Sequence, residues 1–160
     1  NGDGWLDIYV CNSGSRDARG NQLYINQGVT KNADGLAVPT FVEKAAEYGL
    51  VDGGLSTHAA FFDYDRDGDL DMYLLNNSFT PMDRLGYANL RDTRDRLGGD
   101  KLFRNLTVER AGSPGAAGPL FEDVSEQAGI YGSLIGFGLG ITIGDVNNDN
   151  WPDIYISNDF

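Results

Sequence analysis

The sequence has few of the residues on which several common types of site depend. Among 160 residues there are one cysteine, one histidine and five prolines. Cys11 cannot form a disulfide within the chain, and a lone His58 excludes a zinc site built from several histidines. No apolar run approaches the roughly 18 residues that predict a membrane-spanning helix. The sequence therefore points away from disulfide-stapled, histidine-zinc and membrane-spanning classes.

Basic residues are also scarce relative to acidic ones. Lys and Arg total 12 against 24 Asp and Glu, which gives a formal net charge of −12. This charge argues against nucleic acid as a partner, because binding phosphates needs a basic surface. Ten acidic residues fall in three short segments: Asp3, Asp7, Asp63, Asp65, Asp67, Asp69, Asp71, Asp145, Asp149 and Asp153. We therefore expect these segments to bind cations.

The clearest of these segments is residues 63–71, DYDRDGDLD, which we call the second loop and number from position one to position nine. Gly68 at position six permits a sharp turn. The candidate ligands at positions one, three, five, seven (through its backbone carbonyl) and nine are Asp63, Asp65, Asp67, Asp69 and Asp71. An all-oxygen set of this kind suits Ca²⁺, which takes roughly six to eight oxygens.

The pattern occurs twice more. In the third loop, residues 145–153, the candidate ligands are Asp145, Asn147, Asp149, Trp151 (through its carbonyl) and Asp153. Asn150 takes position six there, which Asn tolerates better than most residues. In the first loop, residues 1–7, they are Asn1, Asp3, Trp5 (through its carbonyl) and Asp7. Position one of that loop would precede residue 1, so we expect up to three Ca²⁺ sites, with the first incomplete in this chain.

An EF-hand is the first alternative to test for such loops. It needs a bidentate Glu at position twelve and a helix on each side. Position twelve is Val10, Leu74 or Ile156, all apolar. The runs that follow each loop (LDIYV, LDMYLL, PDIYIS) are rich in β-branched and aromatic residues, which is typical of strands. Each loop is therefore predicted to join two strands of a β-hairpin.

Two pairs of segments repeat along the chain. Residues 20–28 (GNQLYINQG) match residues 99–107 (GDKLFRNLT), and residues 40–50 (TFVEKAAEYGL) match residues 120–130 (LFEDVSEQAGI). Residues 20–28 and 40–50 are followed by the second loop, and residues 99–107 and 120–130 by the third. A period of this length is typical of repeat architectures.

The repeats predict an all-β fold. We expect two periods, residues 8–71 and 72–153, with cut strands at both ends and an insertion at about 79–98 in the second. Roughly four strands per period favour radial repetition. Residues 1–160 are therefore predicted to form part of one β-propeller domain, a fragment of a larger propeller with four-stranded blades.

These motifs resemble a known family. The pattern D-x-D/N-x-D-G-x-x-D between strands, together with GFGLG at residues 136–140, resembles FG-GAP/VCBS repeats. More narrowly, FFDYDRDGDLDMYLLNN followed by DKLFRN and FEDVSEQAGI resembles the cartilage-acidic-protein-like (ASPIC/UnbV-associated) group. The resemblance implies propeller blades like those of integrin α-subunits, with Ca²⁺-binding hairpin loops, usually in secreted or surface proteins.

Catalytic candidates outside the loops are few. A structural or surface role is the favoured interpretation of His58, although a functional one stays open. The carboxylates of the repeated segments recur at equivalent places, which indicates turn or capping roles: Glu43, Glu47, Glu122, Asp123 and Glu126. We therefore expect no enzyme activity from these residues; the alternative is the propeller part of a carbohydrate-active lyase or hydrolase.

The insertion is a candidate for ligand contact, because loops on rigid scaffolds often carry binding function. Its candidate side chains are Met82, Arg84, Tyr87, Arg91, Arg94 and Arg96. From the sequence we expect a calcium-binding scaffold of a secreted, cell-surface or periplasmic protein. Its expected partner is a protein or a carbohydrate.

Overall fold

The computed structural model describes residues 2–13, 20–84, 86, 89–111 and 118–159. In chain order the strands are β1 (Ile8–Val10), β2 (Gln22–Lys31), β3 (Ala37–Glu43), β4 (Leu55–Phe62), β5 (Asp71–Asn77), β6 (Lys101–Asn105), β7 (Phe121–Asp123), β8 (Gly138–Gly144) and β9 (Asp153–Asn158). Short helices are α1 (Ala45–Tyr48), α2 (Thr107–Arg110) and a 3-10 turn, Met82–Arg84. None of the helices in the described residues has the length and apolar character needed to cross a membrane.

The strands form three antiparallel sheets. The first sheet has the order β1-β2-β3, the second β4-β5-β6-β7 and the third β8-β9. The four-stranded second sheet confirms the prediction of an all-β chain built from propeller-type blades. The division into periods 8–71 and 72–153 stays a prediction; the second sheet takes strands from both of these ranges.

Two hydrophobic clusters join the sheets face to face. One cluster, between the first and second sheets, contains Leu23, Ile25, Ala45, Leu50, Met72, Leu74, Phe103 and Phe121. The other, between the second and third sheets, centres on Phe62, Tyr73 and Leu102, with Ile141, Ile143, Ile154 and Ile156 packed against them. Burying a large apolar side chain contributes about 1.5–3 kcal/mol. The clusters therefore hold the three sheets in one stack.

Strand β5 lies at the centre of this stack. Successive side chains of a strand point to opposite faces of its sheet. Met72 and Leu74 accordingly belong to the first cluster, and Tyr73 to the second. All three are at most 3% exposed. A strand buried on both faces explains the nearly continuous apolar run that follows the second loop.

Polar side chains also cross between the first and second sheets, at the strand ends far from the metal loops. The Asn21 amide donates to Ser56 Oγ (2.9 Å), and that hydroxyl donates to Asn76 Oδ1 (2.8 Å). The Asn76 amide donates in turn to the Gly99 carbonyl (3.1 Å). Asn21, Ser56 and Asn76 are at most 2% exposed. We call this chain of hydrogen bonds the Asn21–Ser56–Asn76 relay.

A buried ion pair lies near the relay. The Lys101 ammonium, at the start of β6, contacts the carboxylate of Asp52 in the segment before β4. The other Asp52 oxygen accepts a hydrogen bond from the Gly54 N–H (2.8 Å). Removing one partner of such a pair leaves a buried charge unpaired, which costs about 3–5 kcal/mol. The pair therefore fixes the connection into β4 against β6.

Candidate metal centre

The second loop turns twice through the left-handed region of backbone conformation. Arg66 at position four has φ of 63°, and Gly68 at position six has φ of 101°. These turns direct two backbone N–H groups at the carboxylate of position one. Asp63 accepts hydrogen bonds from Asp67 N–H (3.1 Å) and Gly68 N–H (3.1 Å). The backbone of the loop thus wraps around the Asp63 side chain.

The third loop repeats this geometry. Asn148 and Asn150, at positions four and six, have φ of 60° and 67°. Asp145 accepts from Asp149 N–H (3.1 Å) and Asn150 N–H (2.8 Å). Asn150 therefore makes the turn that Gly68 makes in the second loop, as its residue type led us to expect.

The first loop has the same two turns. Gly2 and Gly4, at positions four and six, have φ of 73° and 84°. In all three loops the N–H of position seven donates to the carboxylate of position five over 2.8 to 3.0 Å. These pairs are Trp5–Asp3, Asp69–Asp67 and Trp151–Asp149. The three loops are therefore copies of one backbone design.

Position nine of the second loop is held by backbone groups from both sides. Asp71 is 0% exposed, and its oxygens accept from Tyr64 N–H (3.0 Å) and Asn105 N–H (2.8 Å). The Asn105 amide also donates to the Leu70 carbonyl (3.0 Å). Burial raises the pKa of Asp71 to about 6, against the lowering effect of the two hydrogen bonds. A nearby positive charge would stabilise the ionised form of this carboxylate, which burial disfavours.

The first loop has the same supporting asparagine. Asp7 accepts from Asn26 N–H (2.8 Å), and the Asn26 amide donates to the Leu6 carbonyl (3.1 Å). Sequence reasoning missed both asparagines as part of the site. The signal was present, because Asn26 and Asn105 occupy the same place in the two aligned repeat segments. The third loop has the contact that Tyr64 makes in the second loop, from position two to position nine: Val146 N–H donates to Asp153 (2.9 Å).

Carboxylates converge in the second loop. Ligand oxygens of Asp63, Asp65 and Asp71 lie within 4.8 Å of one another. Asp65 Oδ1 and Asp69 Oδ1 are buried and accept no hydrogen bond. Burying unpaired carboxylate oxygens is costly, and a cation is the partner that removes this cost. The donor set, entirely of oxygen, therefore fits a hard divalent cation.

Asp67 belongs to a second group that overlaps the first. Its ligand oxygen lies within 4.8 Å of those of Asp65 and Glu109. Glu109, on α2, was not foreseen, and the other repeat has no acidic residue at the equivalent place. Arg104 stands beside both groups: its Nε lies 2.9 Å from Asp65 Oδ2, and its Nη2 contacts Glu109. Arg104 thus offsets part of the negative charge.

Helix α2 also contacts position seven. Val108 N–H donates to Asp69 Oδ2 (3.1 Å). Burial raises the pKa of Asp69. The side chain of Asp69 is therefore held toward α2, which leaves its backbone carbonyl as the predicted ligand.

The described acidic side chains of the first and third loops do not converge as those of the second loop do. Asp145 and Asp149 are exposed, and in the described part of the chain only the second loop brings three acidic side chains within 4.8 Å. The Asn147 amide nitrogen donates to Asp149 Oδ2 (2.9 Å). Asn1 lies outside the described residues, so the structure places Asp3 and Asp7 of the predicted side-chain ligands in the first loop.

One arginine of the insertion at 79–98 has a structural role. Arg94 donates to the carbonyls of Ile130 (2.9 Å) and Asp100 (3.1 Å). In the first repeat the carbonyl equivalent to that of Ile130 belongs to Leu50, which accepts from Tyr9 Oη (2.9 Å). The other insertion arginines are exposed: Arg84, Arg91 and Arg96. Tyr87 and the side chain of Met82 lie outside the described part of the structure.

The side chains considered as catalytic candidates from the sequence make contacts that support the fold. His58 Nδ1 accepts from Ile141 N–H (3.3 Å), which connects β4 with β8. Glu43 accepts from Ala45 N–H (2.8 Å) at the start of α1. Its counterpart Asp123 accepts from the N–H and the hydroxyl of Ser125. The repeated carboxylates at these two positions thus serve the backbone of their turns.

Comparison with known proteins identifies a repeat family. The family model described as FG-GAP-like repeat matches residues 1–74, a range that ends just beyond the second loop. No curated protein and no solved structure matches the chain significantly. The matched range includes the first two loops with the strands around them, which are the features described above. The chain therefore contains an FG-GAP-like repeat, recognised in residues 1–74.

Proposed function

We propose that the chain binds calcium through its loops and that the metal is structural. The observation that carries the proposal is the second loop, where three carboxylates converge and a buried oxygen of Asp65 accepts no hydrogen bond. Asp63, Asp65, Asp67 and Asp71 would hold the ion with the carbonyl of Asp69. The bound ion would offset the excess of negative charge in the loop, where five Asp residues face one Arg. The first and third loops, with the same backbone design, are further sites of the same kind.

Charge supports this role. Three divalent ions would contribute six positive charges to a chain with a net charge of −12. In the absence of cation the carboxylates of a loop repel one another, so an ion that binds the folded state stabilises it. Calcium sites in extracellular modules have dissociation constants of about 10⁻⁴–10⁻³ M. At about 10 mM calcium, such a site contributes about 1.4–2.7 kcal/mol to the free energy of unfolding.

The calcium proposal is tested by calorimetric titration of the chain with calcium and by thermal unfolding with calcium or chelator. Calcium should raise the unfolding midpoint, and Asp67→Ala should reduce both the rise and the number of sites. Asp34→Asn, an exposed acid in the β2–β3 turn, is the matched control and should leave both unchanged. Saturable binding must be stronger for calcium than for magnesium. A flat titration, with no shift in the midpoint, contradicts the proposal.

We further propose that the segment is a non-catalytic scaffold of a secreted or cell-surface protein. Fixed hairpin loops would present a rigid surface to a protein or a glycan. The narrower resemblance to the cartilage-acidic-protein-like group supports an extracellular role. The structural hydrogen bonds of His58, Glu43 and Asp123 support the absence of catalysis.

The scaffold proposal calls for a binding screen. The immobilised chain is exposed to defined glycans and extracellular matrix proteins, with calcium and with chelator. Binding that depends on calcium and leaves the ligand intact supports the proposal. Release of shorter glycan products would instead establish the alternative, a lyase or hydrolase.

A further inference from the structure

One contact joins two metal loops of neighbouring sheets. The guanidinium carbon of Arg66, in the second loop, lies 5.0 Å from the ring centroid of Trp151, in the third loop. This is the geometry of a cation–π interaction. Arg66 stands at position four and Trp151 at position seven of their loops. The contact therefore connects two candidate cation sites directly.

Both residues are fixed by the backbone of their own loop. Arg66 occupies a left-handed turn with φ of 63°, between the candidate ligands Asp65 and Asp67. Trp151 donates its N–H to Asp149 (2.8 Å), and its carbonyl is itself a candidate ligand. A cation that orders either loop therefore orders one partner of the contact.

The contact depends on an arginine at position four, which the other loops do not share, and on a tryptophan at position seven, which the first loop also has as Trp5. Position four is Gly2 in the first loop and Asn148 in the third, and neither side chain carries a charge. Position seven of the second loop is Asp69 rather than an aromatic residue. Among the three loops, the second and third can therefore form this pair, and the first and second cannot.

We propose that the Arg66–Trp151 contact couples cation binding at the second and third loops, with positive sign. This inference rests on the proposed calcium function. An unstacked Arg66 is free to pair with the carboxylates on either side of it and compete with a cation there. Stacking on Trp151 keeps the guanidinium away from them. A cation in the third loop fixes Trp151 and favours binding in the second, and by linkage the reverse holds equally.

The size of the coupling follows from the strength of an exposed cation–π pair. The interaction energy of such a pair changes an equilibrium constant about two- to five-fold. Occupancy of the second loop should therefore change calcium affinity at the third loop by about two- to five-fold. Arg66 is a positioning residue in this account, because it acts through the carboxylates and the ring rather than as a ligand.

The test reads the third loop through the fluorescence of Trp151. In the intact chain carrying Trp5→Phe, Trp151 is the one tryptophan, and calcium is titrated against its emission. Asp63→Asn, which weakens the second loop, should raise the calcium midpoint at Trp151 about two- to five-fold. Arg66→Gln should raise it by a similar factor, and the double variant no further. Asp34→Asn, at the exposed acid of the β2–β3 turn, is the control and should leave the midpoint unchanged.

The outcomes separate the inference from the function on which it rests. If calorimetry shows saturable calcium binding but Asp63→Asn does not move the Trp151 midpoint, the coupling is wrong and the calcium function stands. If the double variant raises the midpoint by the product of the two single-variant factors, the two residues act independently and the coupling is also wrong. Absence of calcium binding in every chain refutes both. Should Asp63→Asn fail to fold, as judged by circular dichroism, Asp65→Asn replaces it with the same expectations.

Discussion

Asn105 should be among the most important side chains of the second loop, although it is not a ligand. It is 9% exposed, and its amide donates to the Leu70 carbonyl (3.0 Å). Its Oδ1 accepts from both the N–H (3.1 Å) and the hydroxyl (2.8 Å) of Thr107. Asn105→Ala removes these three hydrogen bonds. At about 0.5–1.5 kcal/mol each, their loss should lower the free energy of unfolding by about 2–4 kcal/mol.

The same substitution should weaken calcium binding at the second loop. Asn105 holds the Leu70 carbonyl, and its backbone N–H holds Asp71, so loosening its position loosens the last ligand of the loop. Changes of this kind behind a metal ligand typically reduce affinity about 10- to 100-fold. We expect a reduction near the lower end, because the alanine retains the N–H.

Stability is measured by urea unfolding followed by circular dichroism, and affinity by calorimetry. Asn89→Ala is the control: Asn89 is exposed, and its Oδ1 accepts a single hydrogen bond (3.3 Å). It should change stability by less than about 0.5 kcal/mol. Asn26→Ala, which loses the equivalent amide contact in the first loop, should behave like Asn105→Ala. An Asn105→Ala chain as stable as Asn89→Ala would refute the reasoning.

Three further predictions concern the core and the junctions between sheets. Arg94→Ala removes two hydrogen bonds to backbone carbonyls and should cost about 2–4 kcal/mol in urea unfolding, while the exposed Arg91→Ala should cost less than about 0.5 kcal/mol. Burial raises the pKa of Asp100 to about 6, so the folded chain holds this proton more tightly than the unfolded chain. Stability should therefore fall by about 3 kcal/mol as pH rises from about 3 to about 7, and this part of the slope should vanish in Asp100→Asn at saturating calcium. A Cβ at Gly138 would lie 2.3 Å from a leucine side chain of β5, whereas one at Gly144 would meet nothing within 4 Å. Gly138→Ala should therefore cost about 1–3 kcal/mol and Gly144→Ala nothing, and equal stabilities would contradict the packing argument.

The local pattern was enough to predict the strands and part of the turn chemistry. Gly68 and Asn150 were expected to make the turn at position six, and both have positive φ. Position four was not foreseen, although Arg66 and Asn148 have positive φ there as well. Arginine has no intrinsic preference for this conformation, so its residue type carries no signal. The closed hydrogen-bond pattern of the loop imposes it.

Contacts between distant segments could not be read from single motifs. Glu109 joins Asp65 and Asp67 only because α2 folds over the second loop, and no repeated residue marks its position. Arg94 was treated as one of several arginines in the insertion, whereas its donors meet carbonyls that only the folded chain brings together. Asn26 and Asn105 are the intermediate case. The sequence shows that these asparagines repeat. Their hydrogen bonds to the carboxylate at position nine could be recognised only in the folded chain.

The Asn21–Ser56–Asn76 relay has a consequence for how the sheets find their neighbours. Sheets built from similar repeats present similar apolar faces, and apolar contact alone discriminates poorly between neighbours. The relay is satisfied only when Ser56 lies between the two asparagines, one from each sheet. With a wrong neighbour, the Asn21–Ser56 hydrogen bond, which is the one that crosses between the sheets, would be lost, and each group buried without a partner would cost about 1–3 kcal/mol. The relay therefore gives the native pair of sheets an energetic advantage over any pairing that matches apolar faces alone.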